Sequence, residues 1–160
     1  MKNNRAFSII EVLAVILIIG ILATFAVPQV TSYVDMTKKK AYLTTANSYG
    51  KYIELNNPTE LIKENSISIY SFEEINLEKG NNKKSPYGDF DQNKSFVVIF
   101  CKNKCTTYIQ AVDDKNMGIK LSSLEELTSK DIFKITEENI LFTKDDQTGI
   151  QEFLNEKESM

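Results

Sequence analysis

Between Phe7 and Val27 the chain carries 21 residues whose only charge is Glu11. As a helix rising 1.5 Å per residue, such a run spans roughly 32 Å, the thickness of a hydrocarbon core. The run therefore predicts a membrane helix, and everything else in the chain has to be compatible with that anchor. An ionised carboxylate in such a helix costs about 2.5 to 3.5 kcal/mol at the bilayer centre and somewhat less near the interface, so Glu11 calls for a cationic partner. Lys2 and Arg5 precede the run and no acid precedes Glu11. The positive-inside rule then places residues 1 to 6 in the cytoplasm and the chain after Pro28 outside.

Three readings of residues 1 to 30 compete. An uncut signal anchor needs only the apolar run. A cleaved secretory signal would use Lys2 to Arg5 as its basic region, Val12 to Ala23 as its core and a small-residue site ending at Ala26, but Glu11 sits badly at the head of that core and Pro28 lies just beyond the cut. The third reading takes the segment position by position: a short basic leader ending in Arg5 and the small Ala6, the aromatic Phe7, Glu11 four residues later, and the apolar texture SIIEVLAVILIIGILA with Gly20 and Pro28. In these features the N-terminus resembles the class III leader of type IV pilins and of the related type II secretion and competence pseudopilins. Ala6 is the one departure, since most members carry glycine there, and alanine is also small enough for the peptidase. The resemblance covers about 30 of the 160 residues.

That resemblance implies a set of roles. Cutting between Ala6 and Phe7 would expose a new amine on Phe7, which family members N-methylate, and this cation would lie against Glu11 of a neighbouring subunit as the helices bundle. Removing one partner of a pair buried in apolar surroundings costs roughly 3 to 5 kcal/mol, so Glu11 would act as a register key for assembly. Gly20 and Pro28 bracket the part of the helix with the lowest intrinsic stability. In the family this stretch gives up helical hydrogen bonds as a fibre extends; an ordinary kinked membrane helix is the other reading. The implied partners are other pilins in a homo- or hetero-polymer, a prepilin peptidase, the assembly platform of a pilus or type II secretion system, and the cytoplasmic membrane. The implied layout is a cleaved leader at 1–6, a membrane and filament-core helix at 7–28, an amphipathic continuation at 29–56 and a globular head at 57–160. The chain would cross the membrane once, N-in and C-out, before assembly and stand in a cell-surface or periplasm-equivalent filament afterwards.

After the anchor about 130 residues remain, enough for one domain with a modest core. The formal charge is −3, and losing Lys2 and Arg5 with the leader makes it −5. Such a surface has no net attraction for nucleic acid, and Lys38, Lys39 and Lys40, at consecutive helix positions, fan over a wide arc. From Gln29 to Asn56 the chain reads as a continuation of the helix, with Val30, Val34, Ala41, Thr45, Ser48 and Tyr52 as a stripe of small and apolar residues that could meet a head, and Tyr33, Ile53 and Tyr49 beside it. Asn56, Asn57 and Pro58 end it.

The head reads as α+β: a long N-terminal α-helix packed on a small antiparallel β-sheet, as in pilins. Thr59 to Asn65 suggests a short helical piece, Ser66 to Tyr70 alternates polar and apolar, and Ser71 to Glu78 begins with a Ser-x-x-Glu capping box. Gly80 to Gln92 reads as an irregular loop. Lys94 to Cys101 and Cys105 to Val112 form the strongest hairpin signal. Asp113 to Asn116 makes a turn, Met117 to Leu121 a third strand, and Ser122 or Ser123 caps a helix through about Phe133. A final amphipathic helix from about Thr148 to Lys157 packs on the head or lies free as a terminus.

Cys101 and Cys105 are the only cysteines. With three residues between them in a hairpin, they can face each other across the strand pair, and an exported compartment permits oxidation, so a disulfide is the favoured reading. With no histidine and two thiols, the chain lacks a four-ligand metal set, and no cofactor is implied. Asp89, Asp91 and Asn93 imitate the opening of a calcium loop, but Lys94 stands where the loop needs glycine and Phe100 where it needs a bidentate glutamate. No nucleophile-and-base constellation or phosphate loop points to catalysis. Two classes remain: a structural pilin or pseudopilin subunit, or a membrane-tethered exported binding domain with an uncut signal anchor.

Overall fold

A computed structural model describes residues 8–57, 66–75, 77 and 84–159. The leader with Ala6 and Phe7, the expected helical piece Thr59 to Asn65 and residues 80–83 of the loop from Gly80 lie outside the described residues. The expected α+β architecture is present: a 48-residue helix α1 (Ile9–Asn56) and a five-stranded antiparallel sheet. The strands are β1 (Ser66–Ser71), β2 (Phe96–Cys101), β3 (Cys105–Val112), β4 (Met117–Ser123) and β5 (Phe133–Lys134), paired in that order. A C-terminal helix α2 (Gln147–Lys157) follows. The chain divides into two compact units, residues 1–37 and 38–160.

Within the second unit the sheet is buried on both faces. Val97, Ile99 and Cys101 of β2 join Ile109, Ala111 and Ile119 under Tyr42, Ala46, Tyr49 and Ile53 of α1. Phe96, Val98 and Phe100 point the opposite way, joining Tyr108 and Leu121 under Ile150 and Leu154 of α2. Alternating side chains of a strand go to opposite faces. A strand covered on both sides therefore reads as an unbroken apolar run, and FVVIFC is buried at all six positions.

Three local readings are corrected. The buried face of α1 is Tyr42, Ala46, Tyr49 and Ile53: it centres one residue on from the expected stripe, takes in the flanking Tyr49 and Ile53, and leaves Ala41 and Ser48 exposed. Ring area decides this: Tyr49 stacks on Phe72 with centroids 3.8 Å apart, and Tyr42 meets Phe90 edge-on at 5.5 Å. Thr45 and Ser48 satisfy their hydroxyls on the carbonyls of Ala41 and Thr44, so they need no partner in the head.

The helix expected from Ser122 or Ser123 to Phe133 does not form. Ser122 and Ser123 are taken up by the sheet, opposite Ile109 and Tyr108. A second capping box, Thr128 with Asp131, then closes only a single 3-10 turn (Ser129–Asp131) before the chain enters β5. Likewise, the Ser71–Glu74 box makes its bonds (Ser71 N to Glu74 Oε2, 3.3 Å; Glu73 N to Ser71 Oγ, 3.3 Å) around a turn at the end of β1.

Between Ile119 and Ser122 β4 takes three steps while its partner β3 takes two, from Ala111 to Ile109. This bulge lets Leu121 reach the α2 side although Ile119 faces α1. The remaining strands beyond the expected three are β1, which pairs along its full length with β2, and the two-residue β5.

Candidate functional site

The first unit begins with a reciprocal cap. Ser8 N donates to Glu11 Oε2 at 2.8 Å, Glu11 N donates to Ser8 O at 3.0 Å, and Ile10 N points to Ser8 Oγ at 3.4 Å. This is the carboxylate half of a Ser-x-x-Glu capping box, with Ser8 Oγ facing Ile10 N instead of Glu11 N and the carboxylate at the positive end of the helix dipole. The Ser-x-x-Glu spacing of residues 8–11 is the sequence signal for this intrachain role of Glu11 and for the part Ser8 plays in it. Only Oε2 of the carboxylate is engaged among the described residues; Phe7, the next residue toward the N-terminus, lies outside them.

Beyond the cap, α1 is long and apolar enough to cross a membrane, and none of its most apolar window is buried in the fold. Ile9, Leu13, Leu17, Leu22 and Phe25 are each more than 60% exposed. An apolar surface this continuous needs a nonaqueous neighbour, either lipid or other helices. The helix runs unbroken through Gly20 and Pro28. A methyl group at Gly20 would meet nothing within 4 Å. Pro28 has no amide to donate to the Thr24 carbonyl, and the hydroxyls of Thr24 and Thr31 fold back onto Ile21 O and Val27 O, both at 2.6 Å. Such back-bonding bends helices.

In the head, Cys101 and Cys105 form a disulfide, S–S 2.00 Å, and are directly paired in the β2–β3 register. The bond closes the hairpin around Lys102, Asn103 and Lys104. The calcium-like residues do other work: Asp91 Oδ1 accepts from Asn93 N (2.9 Å) and Lys94 N (3.3 Å), and Asp91 Oδ2 lies 3.8 Å from Lys94 Nζ. Among the described residues no three His, Cys, Asp or Glu side chains are grouped to hold a metal.

Two buried polar groups organise the head, and neither was singled out from the sequence. Asp113, 2% exposed, accepts from Ser85 Oγ at 2.6 Å and from Lys115 N and Met117 N at 3.0 Å. It thus pins the 84–90 segment to the β3–β4 turn, where Asn116 takes the left-handed conformation at φ 58°. Tyr42 Oη donates to Met117 O at 3.2 Å, and burial, reinforced by the Asp113 charge, holds its hydroxyl far above the usual tyrosine range.

Gln110 is fully buried: Nε2 donates to Lys94 O (2.9 Å) and Phe142 O (2.8 Å), and Oε1 accepts from Phe142 N (3.1 Å). It latches the segment before α2 to the centre of the sheet. The signal available in sequence was a lone polar residue in the otherwise apolar YIQAV, which alternation alone does not distinguish from an outward position.

Residues 1–27 match the family model described as the prokaryotic N-terminal methylation motif. The chain therefore opens with the class III prepilin leader found in type IV pilins and pseudopilins. No solved structure matches the chain.

Proposed function

We propose that this chain, which carries the prepilin leader, is a structural subunit of a type IV pilus-like filament, a pilin or pseudopilin. It is cleaved after Ala6, N-methylated at Phe7 and polymerised through α1. The observation that carries this reading is the methylation motif over residues 1–27 joined to an unburied apolar helix whose first turn holds one carboxylate. Before assembly the helix is the membrane anchor, N-in and C-out; afterwards it is the bundling element of a cell-surface or periplasm-equivalent filament. The role is structural and requires no catalytic group or cofactor. Its partners are other pilins, a prepilin peptidase and a pilus or type II secretion assembly platform.

Glu11 then has two consecutive jobs. Within its own chain it caps the helix through Ser8 N. In the filament its second oxygen accepts from the Phe7 ammonium of a neighbour, so that no charge is left unpaired among apolar side chains. Gly20 and Pro28 supply the segment that yields when the fibre is stretched.

Intact mass and N-terminal sequencing of the mature protein test the processing step. Methylated Phe7 at the N-terminus is the expected result, whereas an N-terminal Met1 would mean an uncut tether and Val27 a secretory signal. Glu11→Ala tests the pairing: the variant inserts and is cleaved, but its incorporation into filaments drops about 100-fold, the loss expected from about 3 kcal/mol of unpaired charge. Wild-type incorporation of Glu11→Ala refutes the pairing role.

A further inference from the structure

The head carries opposite charge on its two outer helical faces. On α1, the face turned from the sheet presents Lys40, Thr44, Ser48 and Lys51, all exposed. Lys40 and Lys51 are eleven residues apart, which puts them about 20° from each other around the helix and about 16 Å apart along it. From 38 to 56 there are four lysines and the single acid Glu54.

On the other side of the sheet, α2 buries Ile150 and Leu154 and turns Glu152 and Glu156 to solvent. The stretch 137–158 has seven acids against two lysines. One of those lysines, Lys157, holds its ammonium over the Tyr108 ring at 5.6 Å. Among the described residues Lys40, Lys51, Glu152 and Glu156 form no ion pair. With α1 covering one face of the sheet and α2 the other, these charges cannot meet within one copy.

We propose that the Lys40–Lys51 face of one copy docks against the Glu152–Glu156 face of the next. The inference rests on the filament-subunit reading and adds a contact between heads to the bundling of apolar helices. Because the two surfaces differ, the contact is heterologous: every docked copy still offers one unused face, so the contact propagates instead of closing a dimer. Exposed ion pairs contribute little individually. Their effect is on register and partner choice, because a wrong approach sets like charges opposite each other.

Charge swapping in the full-length chain, expressed in a host that assembles it, tests this. The readouts are the amount in sheared filaments relative to the membrane pool, and the formation of intermolecular disulfides in filaments of a Lys51→Cys/Glu152→Cys variant. K40E/K51E and E152K/E156K each reduce filament incorporation about tenfold at unchanged membrane level. The quadruple variant returns to within about twofold of wild type, and the cysteine pair yields cross-linked ladders. Wild-type assembly by either double variant overturns the proposal. So does a quadruple variant that assembles no better than the doubles. A wild-type chain found in no filament would remove the filament-subunit reading and this contact together, whereas a filamentous wild type without rescue removes only the contact.

Discussion

Replacing Gln110 with leucine tests whether one buried amide holds the C-terminal segment on the sheet. The substitution nearly conserves volume but removes the donor to Lys94 O and Phe142 O and the acceptor from Phe142 N. Three partly buried backbone groups then lose their partner, at about 1 kcal/mol each. Apolar burial of the leucine side chain returns about 1 kcal/mol, leaving a net loss of about 2 kcal/mol. For a unit of about 120 residues this corresponds to a midpoint about 8 °C lower. Gln110→Glu should be worse, since a carboxylate would face two carbonyl oxygens with no proton to give. Thermal unfolding of the full chain in detergent, followed by circular dichroism, measures the shift, and amide exchange reports whether Phe142 loses protection. A Gln110→Leu variant melting within about 2 °C of wild type, with Phe142 still protected, would refute the latch.

Other predictions follow from the same core. Among the described residues Tyr49 Oη is buried without a hydrogen-bond partner while its ring is stacked on Phe72, so Tyr49→Phe leaves stability unchanged or raises it by up to about 1 kcal/mol; a loss above 1 kcal/mol in urea titration would mean the hydroxyl has a partner. Replacing both Cys101 and Cys105 with serine costs about 2 kcal/mol, the chain-entropy value for so short a loop, and denaturant midpoints of the oxidised wild type and the double variant measure it. Burial holds the Tyr42 hydroxyl far above its ordinary range and pushes Tyr49 up to about 12. An unfolded tyrosine ionises near pH 10, so the stabilisation from keeping both neutral is intact below pH 10 and is lost as pH rises above it. By pH 11 the two together remove about 3 kcal/mol, and a stability curve flat from pH 9 to 11 would contradict their burial.

What could be read without coordinates had a local cause. The membrane-length helix follows from an apolar run with one charge, the leader from residue types at fixed spacing around Ala6, Phe7 and Glu11, and the β2–β3 hairpin from β-branched runs flanking a three-residue loop that sets Cys101 opposite Cys105. α2 begins at Gln147 and ends at Lys157, close to where its amphipathic pattern placed it. The Ser8–Glu11 cap is equally local, a Ser-x-x-Glu pattern at the head of an apolar run.

What depended on tertiary structure was every choice among locally equivalent options. Nothing in the spacing of α1 distinguishes the Ala41–Ser48 face from the Tyr42–Tyr49 face until Phe72 and Phe90 arrive from distant segments to stack on the tyrosines. Ser122 and Ser123 could cap a helix or extend a strand, and the open edge of β3 decides for the strand because it supplies backbone partners that an isolated turn lacks. Gln110 points inward only because Phe142 brings the matching donor and acceptor. The sequence by itself thus determined the membrane-length helix, its leader, the β2–β3 hairpin and the C-terminal helix. The packed head alone decided which faces are buried, that a second helix covers the sheet, and that basic and acidic surfaces are held apart, since these follow from contacts between residues far apart in the chain.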